Sequence, residues 1–506
     1  MDVFKSAARH LHALHSEEWS PWGLEKTMAP NWATSVGTSA TESRSVDALL
    51  ASTHWNGLVT YSFPDSRSDY EAGYLEASEA FAQVSYDQMQ AVRFILDGRS
   101  PYSGGPKMAL MGVEGFTNAN FYDNGFDGAD IRIGQSASAN PTAYSYYPGN
   151  SPYGGDVWFG NAYDYRNPEV GNYAFLTILH ELGHALGLKH PHEASGVTGT
   201  TASTERDALE YSVMSYNSYA GQSGSYYVNE TFGYPQTYMM DDIAALQELY
   251  GADYTTRGGN NTYSWSPGTG ETFVDGVAYG APGGGAGGSA NRIFLTVWDG
   301  GGIDTYDFSN YTSALTIDLR PGNFSTTGMT QRAYLGDGHY AKGNIYNALL
   351  HDGDPRSLIE NAVGGSGPDQ ITGNDAANKL EGRAGSDVLD GLLGSDVLIG
   401  GAGVDTFVFS TAPSPTNVDQ ITDFVVADDT IQLSKAIFTA LTTTGILAAE
   451  AFYTGSTAHD ASDRILYDRN TGSLVYDQDG TGSAAALKFA QLAPGLSLTN
   501  ADFLIA

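Results

Sequence analysis

Two periods of apolar residues organise the first half of the chain. In the run SYDQMQAVRFILDG, apolar residues from Met89 to Leu96 recur at helical spacing, which predicts a long amphipathic helix. The segments LVTYSF and ADIRIG have the length of strands, and Ile131 and Ile133 alternate as in a half-buried strand. Helices are also predicted over residues 1–16 and at SVDALL. This mixture, up to about residue 255, predicts a lobe in which helices pack on a sheet.

A nine-residue pattern repeats five times from residue 364 to residue 408, with units that begin at 364, 373, 382, 391 and 400. Each unit has a glycine-rich half and an apolar residue at its eighth position. These apolar residues are Ile371, Leu380, Leu389, Leu398 and Phe407. Self-similarity at a fixed period is typical of a solenoid, so we predict that they stack inside a parallel β-roll. The alternative, a flexible glycine-rich linker, does not explain the phased apolar positions.

The sixth position of the repeats carries the oxygen ligands that Ca²⁺ prefers. This residue is Asp369, Asp387, Asp396 and Asp405 in four units and Asn378 in the second unit. A carboxylate beside the carbonyl groups of a glycine-rich turn is hard-oxygen chemistry. Two nonamers complete one turn of such a roll, so alternate repeats lie on the same side. We therefore expect the first, third and fifth repeats to share two calcium ions, and the second and fourth repeats to share one further ion.

Beyond the repeats, the segments VDQITDFVVADDTIQLS and RILYDRNTGSLVYDQDG alternate between apolar residues and Asx or Gly turns. This pattern predicts hairpin strands in both segments. The open end of a solenoid exposes unpaired strand edges, so we expect these strands to cap the roll.

Acidic residues outnumber basic ones, with 58 Asp and Glu against 24 Lys and Arg and a net charge of −34. The chain therefore lacks the basic stripe that nucleic acid or an anionic membrane surface requires. Excess carboxylates in a folded, tyrosine-rich chain indicate bound cations. The absence of cysteine excludes disulfides, thiol catalysis and thiolate metal ligands.

The first residues contain Lys5 and Arg9 but no continuous apolar stretch after them, so we expect no N-terminal secretory signal peptide. No run of about 18 apolar residues predicts a transmembrane helix. A length of 506 residues predicts two or three domains.

The run HELGHALGLKH carries the candidate chemistry. His180 and His184 are four residues apart, so on a helix both imidazoles face one ion, with Glu181 beside it. Gly187 can adopt the left-handed conformation that ends a helix, which would bring His190 in as a third ligand. Three nitrogens and one open position are the arrangement of a catalytic zinc site. The alternative, core histidines without a metal, does not account for all five residues at this spacing.

From about residue 45 to its end, the chain resembles the serralysins, secreted bacterial zinc endopeptidases of the metzincin group. HELGHALGLKH matches the metzincin zinc motif and SVMSY matches the Met-turn. MDDIAALQELYG and WDGGGIDTYDFS are similar to serralysin core segments, and the nonamers match RTX repeats. The resemblance implies an α+β catalytic lobe with a mixed sheet and an active-site helix, followed by an all-β parallel β-roll and β-sandwich. It further implies that Met214 lies beneath one catalytic Zn²⁺ and that Tyr216 contacts the oxyanion.

The resemblance also implies several structural Ca²⁺ ions. One ligand set in the roll is Gly365, Gly367, Asp369, Gly382, Ala384 and Asp387. A second set is Arg383, Gly385, Asp387, Gly400, Ala402 and Asp405. A third set is Asn374, Ala376, Asn378, Gly391, Leu393 and Asp396. Upstream, the implied ligands are Arg257, Gly259, Asn261, Asp299, Gly301 and Asp304 for one ion and Leu358 with Glu360 for another.

The expected domains are a propeptide over residues 1–40, a zinc metalloprotease domain over 41–255 and a C-terminal RTX domain over 256–506. The RTX domain is expected to contain the β-roll, its capping β-sandwich and a C-terminal secretion signal. The resemblance implies a secreted, extracellular monomer exported by type I secretion machinery. Its other expected partners are protein and peptide substrates, and a small proteinaceous inhibitor is left open. No partnership with nucleic acid or membrane is expected.

The expected activity is broad endopeptidase cleavage, with Glu181 as the base and the substrate paired along the edge provided by ADIRIG. The competing hypothesis is a non-catalytic secreted RTX adhesive or structural protein with an inactive protease-like lobe. An RTX lipase lacks support because no G-x-S-x-G motif precedes the repeats. Two features depart from the family pattern: the N-terminal extension, in which His10, His12 and His15 are the nearest candidates to block the zinc, and the insertion HDGDPRS.

Overall fold

A computed structural model describes residues 33–98, 112–126, 128–224, 226–285 and 288–506. The predicted helix over residues 1–16, with His10, His12 and His15, lies outside these residues. Among the described residues, no helix combines the length and the apolar character needed to cross a bilayer.

The described residues of the N-terminal lobe form short strands and five α-helices. Its strands are β1 (Thr34–Gly37), β2 (Thr53–Asn56), β3 (Leu58–Ser62), β4 (Ala82–Gln83), β5 (Asn120–Asp123), β6 (Ile131–Gln135), β7 (Ala143–Ser145) and β8 (Val157–Phe159). Its helices are α1 (Arg44–Asp47), α2 (Leu75–Ser78), α3 (Tyr86–Asp97), α4 (Tyr173–Leu186) and α5 (Met240–Tyr250). Strand β1 falls within the predicted propeptide and pairs antiparallel with β2.

The predicted long helix is α3, which begins after the capping residue Ser85 and ends at the left-handed Gly98. Helix α4 begins in the same way, since the side chain of Asn172 accepts a hydrogen bond of 2.8 Å from the amide of Phe175. Nearly every residue of α4 is buried. A helix that is apolar on all sides is stable only inside the protein, so α4 forms the centre of the lobe.

The mixed sheet has the order β5, β3, β6, β8, β7, and β4 also pairs with β6 beside this path. Strands β4 and β7 run antiparallel to their neighbours, whereas the other pairs are parallel. The prediction that ADIRIG forms a sheet edge is wrong, because β6 lies between β3 and β8. It is also not half-buried, because Arg132 on its second face is 4% exposed and pairs with Asp156 at 2.8 Å. The end strand that packs beside helix α4 is β7.

The C-terminal half is almost entirely β-structure. Its strands are β9 (Thr262–Trp265), β10 (Thr272–Val274), β11 (Val277–Ala278), β12 (Leu295–Val297), β13 (Thr305–Asp307), β14 (Thr316–Asp318), β15 (Phe324–Ser325), β16 (Tyr334–Gly336), β17 (His339–Tyr340), β18 (Ile345–Asn347), β19 (Asn361–Val363), β20 (Gln370–Thr372), β21 (Lys379–Gly385), β22 (Val388–Asp390), β23 (Val397–Gly403), β24 (Thr406–Phe409), β25 (Asp419–Ile421), β26 (Thr430–Leu433), β27 (Gly445–Ile446), β28 (Phe452–Thr454), β29 (Ile465–Asp468), β30 (Ser473–Tyr476), β31 (Leu487–Gln491) and β32 (Phe503–Ile505).

The nonamers form two parallel sheets, as the apolar period predicts. Successive strands alternate between a sheet containing β19, β21 and β23 and a sheet containing β20, β22 and β24. The eighth residues of all five repeats are fully buried, and Leu380 pairs with Leu398 while Leu389 pairs with Phe407. The ladder extends past the repeats in both directions, because Ala362 pairs with Leu380 on one side and Phe407 with Ile431 on the other.

The two segments after the repeats behave differently. RILYDRNTGSLVYDQDG forms the predicted hairpin, in which β29 and β30 pair antiparallel. The prediction of a hairpin in VDQITDFVVADDTIQLS is wrong, because β25 joins one sheet of the roll and β26 joins the other, each in parallel. These strands therefore continue the roll. The insertion HDGDPRS forms two tight helical turns, His351–Gly353 and Pro355–Ser357.

Candidate active site

The three histidines of the motif converge on one point. Helix α4 presents His180 and His184 on one face, and Gly187 (φ 107°) ends the helix so that the chain returns with His190. The Nε2 atom of His190 lies 3.1 Å from Nε2 of His180 and 3.0 Å from Nε2 of His184. The structure thus brings together the three residues predicted as zinc ligands.

The other ring nitrogen of each histidine is held by a hydrogen bond. Nδ1 of His180 donates to the carbonyl of Val213 (2.9 Å), and Nδ1 of His184 donates to the carbonyl of Leu188 (2.8 Å). Nδ1 of His190 contacts the carboxylate of Glu193 at 2.7 Å. These contacts orient each ring and leave every Nε2 lone pair directed at the shared point.

The electrostatics of the cluster favour neutral imidazoles. Burial lowers the pKa of His180 to about 4, with a smaller opposing effect of its bond to Val213, and burial lowers that of His190 to about 2. Metal ligation requires the neutral ring, so no proton has to be displaced near neutral pH.

The donor set fits a zinc ion. Ligand atoms arranged tetrahedrally at about 2.0–2.1 Å from zinc lie roughly 3.3 Å apart, close to the separations of the Nε2 atoms. Within the described parts of the chain, no fourth ligand-type side chain belongs to the group of His180, His184 and His190. Three protein ligands leave a coordination position for water or substrate, as in catalytic sites.

Glu181 lies beside the histidines on the same helix and is 5% exposed. Its Oε2 atom accepts a hydrogen bond of 2.9 Å from the hydroxyl of Ser145, on the end strand β7. Burial raises the pKa of Glu181 to about 8, and the bond from Ser145 opposes that shift. A carboxylate with a raised pKa is matched to taking up and releasing a proton near neutral pH. Sequence reasoning missed Ser145, which no motif marks.

Met214 packs against helix α4 at Gly183, the residue before His184. The side chain is fully buried, and a methyl group in place of the hydrogen of Gly183 would lie 2.5 Å from its sulfur. Glycine at position 183 therefore lets the turn with Met214 approach helix α4 closely. Asp242 of α5 holds this turn from below, accepting bonds from the Ser212 hydroxyl (2.6 Å) and the Val213 amide (2.8 Å).

Tyr216 lies at the mouth of the cluster. Its ring stacks on His180 with a centroid distance of 5.6 Å and an interplanar angle of 17°, and its centroid is 4.4 Å from that of His190. Tyr147, which follows β7, approaches the cluster from another side and meets the ring of His184 edge-on at 5.5 Å. Both aromatic rings border the open side of the histidine group.

The predicted calcium ligands of the roll meet across adjacent turns. The amide of Asp369 donates to Oδ1 of Asp387 (2.7 Å), and the amide of Asp387 donates to Oδ1 of Asp405 (2.9 Å). On the opposite side, the amide of Asn378 donates to Oδ1 of Asp396 (2.8 Å). Of the other predicted ligands, Gly382, Arg383, Ala384 and Gly385 lie in β21, and Gly400 and Ala402 lie in β23. The remaining ones lie in loops between strands: Gly365, Gly367, Asn374, Ala376, Gly391 and Leu393.

The chemistry of these turns fits hard cations. Oδ2 of Asp387, Asp396 and Asp405 is buried and has no hydrogen-bond partner among the described residues. Burial raises the pKa of Asp387 to about 6 and that of Asp396 to about 8, with added repulsion from neighbouring carboxylates. A buried carboxylate oxygen without a partner is costly, and coordination of Ca²⁺ would satisfy it.

The predicted upstream ligands also lie together. Oδ1 of Asp304 accepts from the amide of Asn261 (2.7 Å), while its Oδ2 is buried without a partner among the described residues. The amide of Asp304 donates to Glu360 Oε2 (2.7 Å), and the amide of Gly301 donates to Asp299 Oδ1 (2.8 Å). Arg257, Gly259 and Leu358 lie on the neighbouring turns.

Three further carboxylates, which the sequence pattern did not predict, accept bonds from the backbone of the roll in the same way. The amide of Asp396 donates to Asp419 Oδ1 (3.1 Å) and that of Asp405 donates to Asp429 Oδ1 (3.0 Å), while Asp423 accepts from the amide of Gly401 (2.8 Å). The two Asp–Asp pairs are 23 and 24 residues apart instead of 18, so no nonamer is visible there. The tripeptide DQI, present at residues 369–371 and again at 419–421, was the available signal.

Comparison with known families accounts for most of the chain. Residues 252–504 match the family described as Peptidase M10 serralysin C terminal, and residues 119–213 match the Matrixin family. The chain is 38% identical over 383 residues to Metallopeptidase AprA of Pseudomonas marginalis, which covers 74% of this chain and 71% of that protein. It is 37% identical to Metalloprotease AprA of Pseudomonas entomophila (strain L48), over 75% of each chain.

A further relative is Serralysin of Proteus mirabilis, which is 32% identical over 64% of this chain and 62% of its own length. The three relatives are named as metallopeptidase, metalloprotease or serralysin. The Matrixin match includes the histidine motif, and the serralysin C-terminal match includes the nonamers. The chain belongs to the serralysin family and is a metalloendopeptidase.

Proposed function

We propose that the chain hydrolyses peptide bonds at the site formed by His180, His184 and His190, with one Zn²⁺ as cofactor and Glu181 as the general base. The observation that carries this proposal is the convergence of three Nε2 atoms beside a buried carboxylate. The alternative is an inactive, purely calcium-binding protein, in which a zinc ligand or the base would be missing. Against it stand His180, His184 and His190, whose Nε2 atoms lie together, and the buried Glu181 on the same helix.

A bound zinc ion would polarise the attacking water and the scissile carbonyl group. Glu181 takes the proton from the water as it attacks and transfers it to the departing amine. Ser145 keeps the Glu181 carboxylate directed at the cluster through their 2.9 Å hydrogen bond. The hydroxyl of Tyr216 donates to the oxyanion that the carbonyl oxygen becomes when the water adds, since the ring already borders the histidines.

The substrate pairs with β7 in this proposal and not with ADIRIG. An extended peptide can add a strand to the end of a sheet, and β7 is the end strand next to α4. Ser145 lies on this strand and contacts Glu181, so a peptide paired there passes the base. Pairing through backbone atoms gives affinity with little side-chain selectivity, which supports broad specificity.

We further propose that Ca²⁺ stabilises the C-terminal half through the predicted ligand sets, extended by Asp419, Asp423 and Asp429. The unpartnered Oδ2 atoms of Asp304, Asp387, Asp396 and Asp405 support this assignment. Calcium is abundant outside cells, so the roll would become stable after export. Secretion by a type I machine, an extracellular location and a monomeric state belong to the same proposal.

The propeptide is proposed to end earlier than residue 40. Ala33 is 5% exposed, and β1 pairs with β2 along four residues, from Thr34 opposite Asn56 to Gly37 opposite Thr53. Removal of these residues would expose β2, so the buried contacts support cleavage before Ala33.

The test is hydrolysis of azocasein by the full chain in calcium, compared with Glu181→Ala and with the exposed control Glu450→Ala. We expect Glu181→Ala to lose nearly all activity while it binds zinc as the unmodified chain does, and Glu450→Ala to keep full activity. Removal of zinc by a chelator should abolish activity, and added zinc should restore it. Activity of Glu181→Ala within about tenfold of the unmodified chain would contradict the role of Glu181 as base.

A further inference from the structure

Lys189 lies between two parts of the histidine motif. The residue before it, Leu188, supplies the carbonyl that orients His184, and the residue after it is His190. The side chain of Lys189 is only 1% exposed. Its ammonium group lies within hydrogen-bond distance of four backbone carbonyls, which share its three N–H groups: Ala48 at 2.6 Å, Glu193 at 2.8 Å, Thr200 at 3.2 Å and His190 at 3.3 Å.

An ammonium group loses its hydration when it is buried, and this costs several kcal/mol unless other groups replace the water. Within the described residues, no carboxylate lies within ion-pair distance of Lys189, so the backbone carbonyls are the groups that replace the water around its ammonium group. A purely space-filling role would be served by an apolar side chain without that cost. These contacts therefore indicate that the ammonium group links the backbone segments that carry the four carbonyls.

The connected carbonyls belong to two segments. Those of His190, Glu193 and Thr200 lie on the loop 190–200, which begins with the third histidine. The fourth, that of Ala48, lies on the segment 48–51. That segment also pairs with the motif through its backbone, since the Lys189 amide donates to Leu49 (2.7 Å) and the Ala51 amide donates to Gly187 (2.9 Å).

His190 depends on such anchoring more than the other two histidines do. The helical period alone sets His180 relative to His184, whereas His190 follows the break at Gly187 and belongs to a loop. Its ring is oriented by Glu193, whose carbonyl is bound to Lys189. We propose that Lys189 is a positioning residue: its ammonium group holds the loop 190–200 so that Nε2 of His190 meets those of His180 and His184. This inference rests on the proposed zinc site.

The experiment uses the full chain with Glu181→Ala, which prevents self-digestion, and adds Lys189→Met or the control Lys435→Met, an exposed lysine. Zinc affinity is measured by competition with a chromophoric chelator, and the visible absorption of bound Co²⁺ reports the coordination geometry. We expect Lys189→Met to raise the Kd for zinc about 10- to 100-fold, the effect typical of residues that orient metal ligands. The Co²⁺ spectrum should change as well, whereas Lys435→Met should change neither quantity.

Two further measurements separate positioning from general stability. In the zinc-free proteins, amide hydrogen exchange over residues 190–200 should be faster in Lys189→Met than in Lys435→Met. In Lys189→Ala, methylammonium should restore zinc affinity by at least threefold, whereas tetramethylammonium, which has no N–H group, should not. If Lys189→Met does not fold, Lys189→Gln, which retains two N–H donors, is measured against the same thresholds.

A zinc Kd in Lys189→Met within twofold of that in the parent, with an unchanged Co²⁺ spectrum, would overturn the role of Lys189 even if the melting temperature fell. Failure of the Glu181→Ala parent itself to bind zinc would overturn the proposed function instead. The two failures are therefore distinguishable.

Discussion

The hydroxyl of Ser145 donates a hydrogen bond of 2.9 Å to Oε2 of Glu181, which connects the end strand of the sheet to the centre of the active site. The two residues are 36 positions apart in the chain. This bond fixes the position of β7, the strand proposed to bind substrate, relative to Glu181, the residue proposed to remove the proton.

Ser145→Ala should reduce kcat by about 2- to 10-fold, the value of one hydrogen bond of about 0.5–1.5 kcal/mol. KM should stay unchanged, because a substrate that pairs with β7 uses the backbone of this strand. Steady-state kinetics on a quenched fluorescent peptide measure both constants, with Ser52→Ala as the exposed control on the same lobe. A rise in KM with unchanged kcat would count against the proposed role.

Tyr216→Phe removes a hydroxyl group but keeps the ring that stacks on His180. If the hydroxyl donates to the oxyanion, kcat should fall by roughly 10- to 100-fold, less than the loss of about 100- to 1000-fold that follows removal of a preformed oxyanion-hole donor. Zinc affinity should not change. An unchanged kcat would exclude Tyr216 from the chemistry.

Asp242→Asn should weaken the turn that carries Met214. The carboxylate of Asp242 accepts hydrogen bonds from the Ser212 hydroxyl and from the amides of Val213 and Met239. The side-chain NH₂ group of an asparagine at this position would face these donors and could not accept their bonds. The expected loss is about 1–3 kcal/mol of unfolding free energy, measured by urea denaturation at constant calcium. Asp241→Asn instead weakens the ion pair between Asp241 and Arg206, and it should leave zinc affinity unchanged.

Asp387→Ala should affect calcium binding more than Asp369→Ala, because Asp387 belongs to two of the predicted ligand sets and Asp369 to one. We expect isothermal titration to show the loss of two ions in the first variant and of one in the second. Asp375→Ala, an exposed aspartate in the same repeats, is the control. Equal stoichiometry in all three variants would contradict the assignment of these ligands.

Without calcium, the C-terminal half should lose stability as the pH rises from about 4 to 8. Burial and neighbouring carboxylates raise the pKa of Asp387 to about 6 and those of Asp304 and Asp396 to about 8. Their ordinary value in the unfolded chain is about 3.9. The folded state therefore holds more protons across this interval, and its stability falls with pH.

Calcium should reverse that trend, since it replaces protons on the same oxygens and binds the ionised carboxylates. Thermal unfolding followed by circular dichroism at pH 5 and pH 8, in chelator and in millimolar calcium, measures both trends. A calcium-free melting temperature that is higher at pH 8 than at pH 5 would refute this account.

Local periods in the sequence determined the helix of the histidine motif and the roll formed by the repeats. The spacing of His180 and His184 follows from 3.6 residues per helical turn, and the left-handed glycine at position 187 predicts where the helix ends. The repeats gave the buried ladder from Ile371 to Phe407 and the position of the acidic residues, because each nonamer forms its own turn and strand. These features depend on neighbours in the chain, so a single sequence carries them.

Tertiary structure alone decided which groups complete the sites. The strand formed by ADIRIG lies inside the sheet, whereas β7 lies at its end. No local pattern predicts this difference, because the order of strands depends on pairing between distant segments. The carbonyl that orients His180 is 33 residues away, and the carbonyl bound by Lys189 at Ala48 is 141 residues away. Asp419 and Asp429 join the roll across longer loops that break the period. Such contacts form only when packing brings together backbone segments that are far apart in the chain. A local sequence pattern therefore does not predict them.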